Sequence, residues 1–302
     1  MIPGRVSVVI PSRNEQFHTE GKVFDFIGNT IRDIHAKARG DVEIVAVLDG
    51  YWPDPPLPEF ENLVILHTGQ SKGMRPAINS GCGIATGEFL MKLDGHVSVS
   101  EGFDVALKED YHEKNWIVVP RRDRLDADTW GLQVTGKPPI DYHYLSYPFE
   151  RENDPSCGLH GTIWTNRCLA RKDILLDDEM SSQGSGWFMH RDHWNRLGPM
   201  EVSKYGNFIQ EFQELGLKTW LGGGEVKINK KVTYLHLHKG KRFGRGYFIS
   251  KTEMQNGADF ATDYWMNNRW ECRVRDMRWL IEKFSPVPTW PTDLDQVKCW
   301  AR

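Results

Sequence analysis

Apolar positions in the first 120 residues fall into short runs separated by helical stripes. Val6–Ile10 is apolar and β-branched and stops at Pro11, the pattern of a strand buried on both faces. Phe24, Ile27, Ile31, Ile34 and Ala38 recur at helical spacing until Gly40-Asp41 breaks the stripe. Val42–Leu48 reads as the second buried strand, the proline-rich Tyr51–Pro58 as a loop and Leu63–Leu66 as a third strand. Met74, Ala77, Ile78 and Ala85 share a helix face that ends near Gly87, and Phe89–Leu93 is a fourth strand. Phe103–Tyr111 follows as a helix and Trp116–Val119 as a fifth strand. A β-α-β-β-α-β-α-β order predicts an α/β fold, a mostly parallel sheet flanked by helices.

Beyond residue 120 the pattern changes. Arg121–Asp154 loses its periodicity and is rich in charge, proline and tyrosine, so it reads as a long insertion over the site. Gly186–Met189 reads as a short strand, Asp192–Leu217 as helical segments broken near Tyr205-Gly206, and Lys227–His238 as strand or strand-loop. Lys239–Gly246 is a basic, glycine-rich loop. From Thr262 a Trp/Arg-rich helix is expected, then the proline-rich Ser285–Pro291. No internal repeat is evident. The expected organisation is a main domain over 1–255, with a nucleotide-binding half 1–120 and an acceptor half 121–255, plus a C-terminal extension 256–302.

Composition narrows the function classes. A net charge of -3 gives no global pull toward nucleic acid or anionic membrane, so only local patches can argue for either. No apolar run approaches the roughly 20 residues of a membrane span, and the N-terminus reads as a first strand rather than a signal peptide. The 5 cysteines are odd in number and form no CxxC pair, which argues against a disulfide framework or a cysteine zinc site and for a reducing, cytoplasmic setting. No obligate protein partner is evident. The 12 tryptophans lie mostly after residue 115, as core or as platforms for sugars or bases.

In an open α/β sheet, ligands bind beyond the carboxyl ends of the strands. There the sequence places Pro11-Ser12-Arg13-Asn14-Glu15, Asp49 and Asp94-Gly95-His96. Asp94 and His96, two apart in extended backbone, point to one face. A carboxylate with an imidazole is half a shell for a divalent ion such as Mn²⁺, which would neutralise a departing diphosphate. Alone this is weak, because Asp-Gly is a common turn pair.

Ser71–Phe103, SKGMRPAINSGCGIATGEFLMKLDGHVSVSEGF, resembles the donor-binding stretch of family 2 type glycosyltransferases of the GT-A (Rossmann-like) fold. In that pattern a Gly-x-Arg-x-Ala helix precedes a strand ending in an Asp-x-Asp or Asp-x-His metal motif. The Asp-x-His form is most like the polypeptide N-acetylgalactosaminyltransferases. Gly186-Trp187-Phe188-Met189 resembles the family's Gly-Gly-Leu-Phe strand, and Glu211–Gly223 its Glu-Asn-x-Glu-Leu-Ser-x-Arg-x-Trp-x-x-Gly-Gly helix. Tyr234–His238 sits where the family places a third metal ligand. The likeness covers roughly residues 5–120 and 184–245.

The resemblance implies a hexosyl- or N-acetylhexosaminyltransferase using a UDP-sugar with Mn²⁺ or Mg²⁺. Asp94, His96 and His236 would hold the metal, with His238 as runner-up. Asp49 would contact uracil or ribose, and Arg75 the diphosphate or the Asp94 turn. Pro11, Arg13 and Glu15 would line the nucleotide pocket. Lys239, Lys241, Arg242 and Arg245 would clamp the diphosphate on a mobile loop. Trp187 would lie beside the acceptor, and Glu211 near its hydroxyl. The family's acidic pair is here Glu211-Phe212, so the usual second carboxylate is missing and Glu211 alone is the candidate base.

Competing readings stand beside these. Asp49 is also a turn cap, Arg75 a surface helix residue, and Trp187 a core residue. Three acceptor classes remain: a glycan or lipid-linked intermediate, a protein side chain, and a 5-hydroxymethylpyrimidine in DNA, as in virus-encoded DNA-modifying members acting in the host cytoplasm. The basic residues of Lys227–Lys251, with Arg269, Arg273, Arg275 and Arg278 among tryptophans, favour DNA, since cations would track phosphates while indoles stack on bases. The alternative class is a nucleotide-sugar- or glycan-binding module without catalysis.

Overall fold

In the computed structural model, which describes residues 1–147, 159–245, 247–297 and 299–300, the first half contributes eight strands and three helices. They are β1 (Ile2–Ser12), β2 (Gln16–Thr19), β3 (Lys22–Asp25), α1 (Phe26–Lys37), β4 (Val42–Asp49), β5 (Leu63–Thr68), α2 (Met74–Ile84), β6 (Gly87–Leu93), β7 (Val97–Val99), α3 (Phe103–Glu109) and β8 (Trp116–Arg124). The second half adds β9 (His143–Leu145), β10 (Gly161–Ile163), α4 (Thr165–Ala170), β11 (Leu176–Asp178), β12 (Gly186–His190), α5 (Arg191–Leu197), α6 (Glu211–Leu221), β13 (Glu225–His236), α7 (Gly240–Phe243), α8 (Lys251–Met266) and α9 (Met277–Phe284). The tail of the expected insertion, residues 148–154, lies outside the described residues, as does Cys157.

The main sheet runs β11-β13-β8-β12-β6-β1-β4-β5, with β7 added on β13. β1 pairs in parallel with β4 and β6, β4 with β5, and β8 with β13. β12 departs from the parallel expectation by running antiparallel between β6 and β8. Its beginning, rather than its end, therefore reaches the carboxyl end of β6, and Asp94 N donates to Ser185 O at 3.1 Å. β13 is long enough to continue past β8 onto β7, pairing His236 with Val97.

Local chemistry accounts for these elements. All eight residues of β4 are buried, as a strand covered on both faces requires. α1 is capped by Asp25, whose Oδ1 accepts from Gly28 N at 3.0 Å, and buries Ile27, Ile31 and Ile34 toward the sheet. α2 approaches the sheet at Gly81, where a Cβ would meet Val9 at 2.5 Å, so only glycine fits. The β2–β3 hairpin, invisible to the helical stripe drawn through Phe24, carries Phe17 and Phe24 into an aromatic cluster with Phe26 and Phe243.

The C-terminal region differs from expectation. α8 ends at Met266 and α9 begins only at Met277, so the anticipated single helix is two. The expected boundary at 255/256 falls inside α8. Trp265, Trp290 and Trp300 belong to the same core as Phe212, Trp187 and Trp220. Their indole N–H groups are satisfied within the fold: Trp265 by Tyr205 Oη at 2.6 Å, Trp290 by Leu145 O at 2.7 Å and Trp300 by Met266 O at 2.7 Å. Among the described residues no helix is long and apolar enough to cross a membrane. Cys82, Cys168, Cys272 and Cys299 are free thiols.

Candidate active site

The turn after β6 and the end of β13 bring Asp94, His96 and His236 together, with one potential ligand atom from each lying within 4.8 Å of the others. Asp94 Oδ2 is 3.2 Å from His236 Nε2 and 3.9 Å from His96 Nε2. Burial pushes His236 down to about 3, against the pull of Asp94, so its imidazole is neutral and able to ligate at neutral pH. Its Nδ1 is buried without a partner. His238, at the next outward position, is pushed down to about 4, first by burial and then by Arg122. Burial opposes the Asp94 charge, but Lys92 and His236 outweigh it and hold the carboxyl well below its usual range. A carboxylate and two imidazoles at this spacing fit a divalent ion such as Mn²⁺.

Behind this cluster stands a group that the sequence reading missed. Lys92 is wholly buried on β6, and its ammonium reaches Asp94 Oδ1 at 2.6 Å, Gly184 O at 2.6 Å and Glu211 Oε2 at 3.2 Å. The available signal was a lysine inside the apolar run Phe89–Leu93, which a core strand tolerates only when paired. Glu211 opens α6, and its other oxygen accepts from Trp187 Nε1 at 3.0 Å. Burial raises the Glu211 carboxyl; Lys92 opposes the rise and Asp94 adds to it. A Cβ on Gly184 would collide with the Glu211 carboxylate, so this position keeps the two loops in contact.

One cavity of about 1210 Å³ joins these groups to the loops after β1 and β4. Pro11, Arg13, Glu15, Asp49, Glu211, His238 and Arg245 line it beside the metal cluster. Glu15 Oε1 accepts from Lys239 at 2.8 Å, and its Oε2 lies 3.1 Å from His96 Nδ1. Burial alone would raise Glu15, but His96 and Lys239 keep it lowered. Asp49 lines the cavity while its carboxylate organises the loop before α2, accepting from Ser71 Oγ at 2.7 Å, Lys72 N at 2.7 Å and Gly73 N at 2.9 Å. Arg13 donates to Asp49 O at 2.7 Å.

Four sequence expectations are corrected. Arg75 is wholly buried and does not line the cavity; it is ion-paired with Glu214, donates to Ile209 O at 2.8 Å and lies over the Tyr205 ring. Its place beside Asp94 is taken by Lys92. Trp187 is wholly buried and stacks on Trp194, so it supports Glu211 from the core rather than offering a platform. Lys241 is exposed and Arg242 is ion-paired with Glu20 and Asp128; neither lines the cavity. Aromatic packing of Phe243 fixes this segment beside the β2–β3 hairpin.

Three comparisons bear on this arrangement. A family model described as Glycosyl transferase family 2 matches residues 7–176, a span that includes Lys92, Asp94 and His96. The chain is 26% identical over 190 residues to "Putative inactive polypeptide N-acetylgalactosaminyltransferase 11" of Drosophila melanogaster, covering 61% of this chain and 32% of that protein. It thus spans about a third of that relative's length. A crystal structure of GalNAc-T7 with UDP, GalNAc and Mn²⁺ superposes with a TM-score of 0.61 at 16% identity, covering 92% of this chain and 56% of that one. This likeness, with the mixed sheet and flanking helices, establishes the GT-A fold. A mannosyltransferase of Pyrobaculum calidifontis in complex with GDP-Man and Mn²⁺ gives a TM-score of 0.49 at 14% identity, over 79% of this chain and 58% of that one.

Proposed function

Because the chain belongs to glycosyl transferase family 2, we propose that it is a metal-dependent transferase moving a hexosyl or N-acetylhexosaminyl group from a UDP-sugar to a hydroxyl acceptor. The observation that carries this reading is the convergence of Asp94, His96 and His236 within 4.8 Å in the cavity that the β1 and β4 loops also line. These three residues would hold Mn²⁺ or Mg²⁺, which when bound supplies positive charge to a departing diphosphate. His238 is not part of this grouping among the described residues, and it lines the cavity beside it.

The chain's own groups divide the remaining work. Arg13, Lys239 and Arg245 flank the nucleotide side, where they would meet phosphate oxygens. Lys92 orients Asp94 and Glu211 at once. Glu211 stands at the acceptor side, and its raised affinity for a proton suits a group that receives one from the acceptor hydroxyl. Phe212 is a core residue, so Glu211 has no acidic neighbour there to share that task.

The argument for a DNA acceptor rested on open basic residues, and most of these are paired. Lys227 is bound to Asp178 and Glu225, Lys231 to Asp110, Lys239 to Glu15 and Arg242 to Glu20 and Asp128. Arg269 pairs with Asp263, Arg278 with Glu282 and Asp295, and Arg275 caps carbonyls of Trp220 and Gly224. A 5-hydroxymethylpyrimidine acceptor is left without the charge track that suggested it, and a glycan, a lipid-linked intermediate or a protein side chain stands as its alternative.

A panel of UDP- and GDP-sugars with Mn²⁺, offered peptide, glycan, hydroxymethylated DNA and unmodified DNA, tests the reading through released nucleotide and product mass. Release and a sugar-sized mass gain are expected on one acceptor, with a loss of about a hundredfold or more in Asp94→Ala. Nucleotide-sugar binding without any turnover on the panel would move the chain to the binding-module class.

A further inference from the structure

The arm of the cavity lined from β8, β9 and β10 contains a buried cation that the proposed transfer does not use. Arg122 sits on β8 opposite Tyr234 of β13, two residues before His236, which places it about 7 Å along the sheet from that ligand. It is only 4% exposed, yet it lines the cavity. Nη2 meets His143 Nε2 at 3.2 Å, while among the described residues Nε and Nη1 are buried without a hydrogen-bond partner. Among the described residues its nitrogens make no ion pair. Its chain neighbour behaves differently: Arg121 is closed onto Asp141 by two contacts of 2.9 Å.

Burial outweighs the opposing pull of Glu179 and Asp94 and lowers the Arg122 guanidinium from its ordinary range. Burial, then Arg122 itself, pushes His143 well below its usual range, so the ring is neutral. Glu179, 3.5 Å from His143 Nδ1, is pushed well above the usual carboxyl range by burial and then by Asp141, which favours its neutral form. Thr162 Oγ1 on β10 lines the same arm and is also buried without a hydrogen-bond partner among the described residues. A buried guanidinium with unsatisfied N–H groups is costly unless an anion meets it.

We propose that Arg122 is the recognition residue of an anion subsite in this arm, taking a carboxylate or phosphate carried by one of the two substrates. The assignment of that anion to a sugar substrate rests on the glycosyltransferase reading; the subsite itself rests on Arg122 and its surroundings. The anion belongs either to the transferred sugar or to the acceptor, and two probe pairs separate these sources.

Calorimetry on the full chain compares glucose 6-phosphate with glucose in the absence of nucleotide and metal, and UDP-glucuronate with UDP-glucose in the presence of Mn²⁺. The anionic member of one pair is expected to bind about tenfold more tightly than its neutral counterpart. Arg122→Gln should erase that preference, and Arg122→Lys, which keeps the charge and guards against a folding artefact, should retain part of it. Discrimination in the first pair places the anion on the acceptor, and in the second on the transferred sugar. Equal binding within both pairs, or an unchanged preference in Arg122→Gln, overturns the proposal. Failure of the glycosyltransferase reading would appear separately, as no binding of either UDP-sugar while the phosphosugar pair still reads Arg122.

Discussion

Lys92 shows how a single side chain can tie the candidate metal cluster to the core. It is enclosed by two carboxylates and a carbonyl, so its charge is balanced only by Asp94 and Glu211. Lys92→Met would leave the buried Glu211 and the half-buried Asp94 without their cation, at a cost of about 3–5 kcal/mol. Mn²⁺ bound at Asp94 would restore part of the missing positive charge. Thermal denaturation should therefore show a larger loss in Lys92→Met with chelator than with Mn²⁺; equal losses would mean that the metal does not sit against Asp94. At this scale the sequence was readable where a residue type has few alternatives. Asp94 and His96 were expected together from their spacing after a strand, and His236 from the family resemblance; the three do converge. Arg75 and Trp187 were misplaced, because a motif fixes a position in the chain but not the side of the helix or strand that faces the cavity. Arg122 was not singled out, because burial of a cation is a tertiary fact, whereas Lys92 left its mark as the one charge within the apolar run Phe89–Leu93.

Between elements, polar contacts lock the helices that carry the site. α2 is tied to α6 by the buried Arg75–Glu214 pair, and α5 to α6 by His193 Nε2 with Thr219 Oγ1 at 2.9 Å. Burial, then Arg196, pushes His193 down to about 3, far below the about 6.5 of an unfolded histidine. Between those values the unfolded chain binds the extra proton, so this contribution is intact above about pH 6.5 and declines as pH falls toward 3, by about 1.4 kcal/mol per pH unit. Urea denaturation at pH 7 and pH 5 should show a smaller acid loss in His193→Gln than in the parent, by about 1–2 kcal/mol. Identical losses would contradict a neutral, buried His193. The strands of the first half were legible because parallel strands covered on both faces are continuous apolar runs. The β2–β3 hairpin and the antiparallel sense of β12 were not, since strand direction leaves no periodic mark and a four-residue strand offers too few positions to show one.

For the molecule as a whole, the sequence suggested a domain with an appendage, whereas α8, α9 and the terminal tryptophans complete one core with α6. Removing residues 256–302 would strip apolar cover from Trp220 and Phe284's neighbours on α6 and delete the partners of Tyr205 and Leu145. A fragment of residues 1–255 is expected to aggregate or to unfold without cooperativity, and a cooperative, monodisperse fragment would restore the two-part organisation. The same packing explains why tryptophan abundance misled the search for stacking surfaces: indoles with both faces and the N–H satisfied inside the fold cannot take a base or a sugar. Asp94, His96 and His236 are proposed to form a metal site through which the nucleotide is held. Calorimetric titration of UDP into the chain with and without Mn²⁺, in parent and Asp94→Ala, tests it most directly. UDP binding that requires Mn²⁺ and disappears in Asp94→Ala is the predicted result; binding that is indifferent to the metal and unchanged in the variant would contradict it.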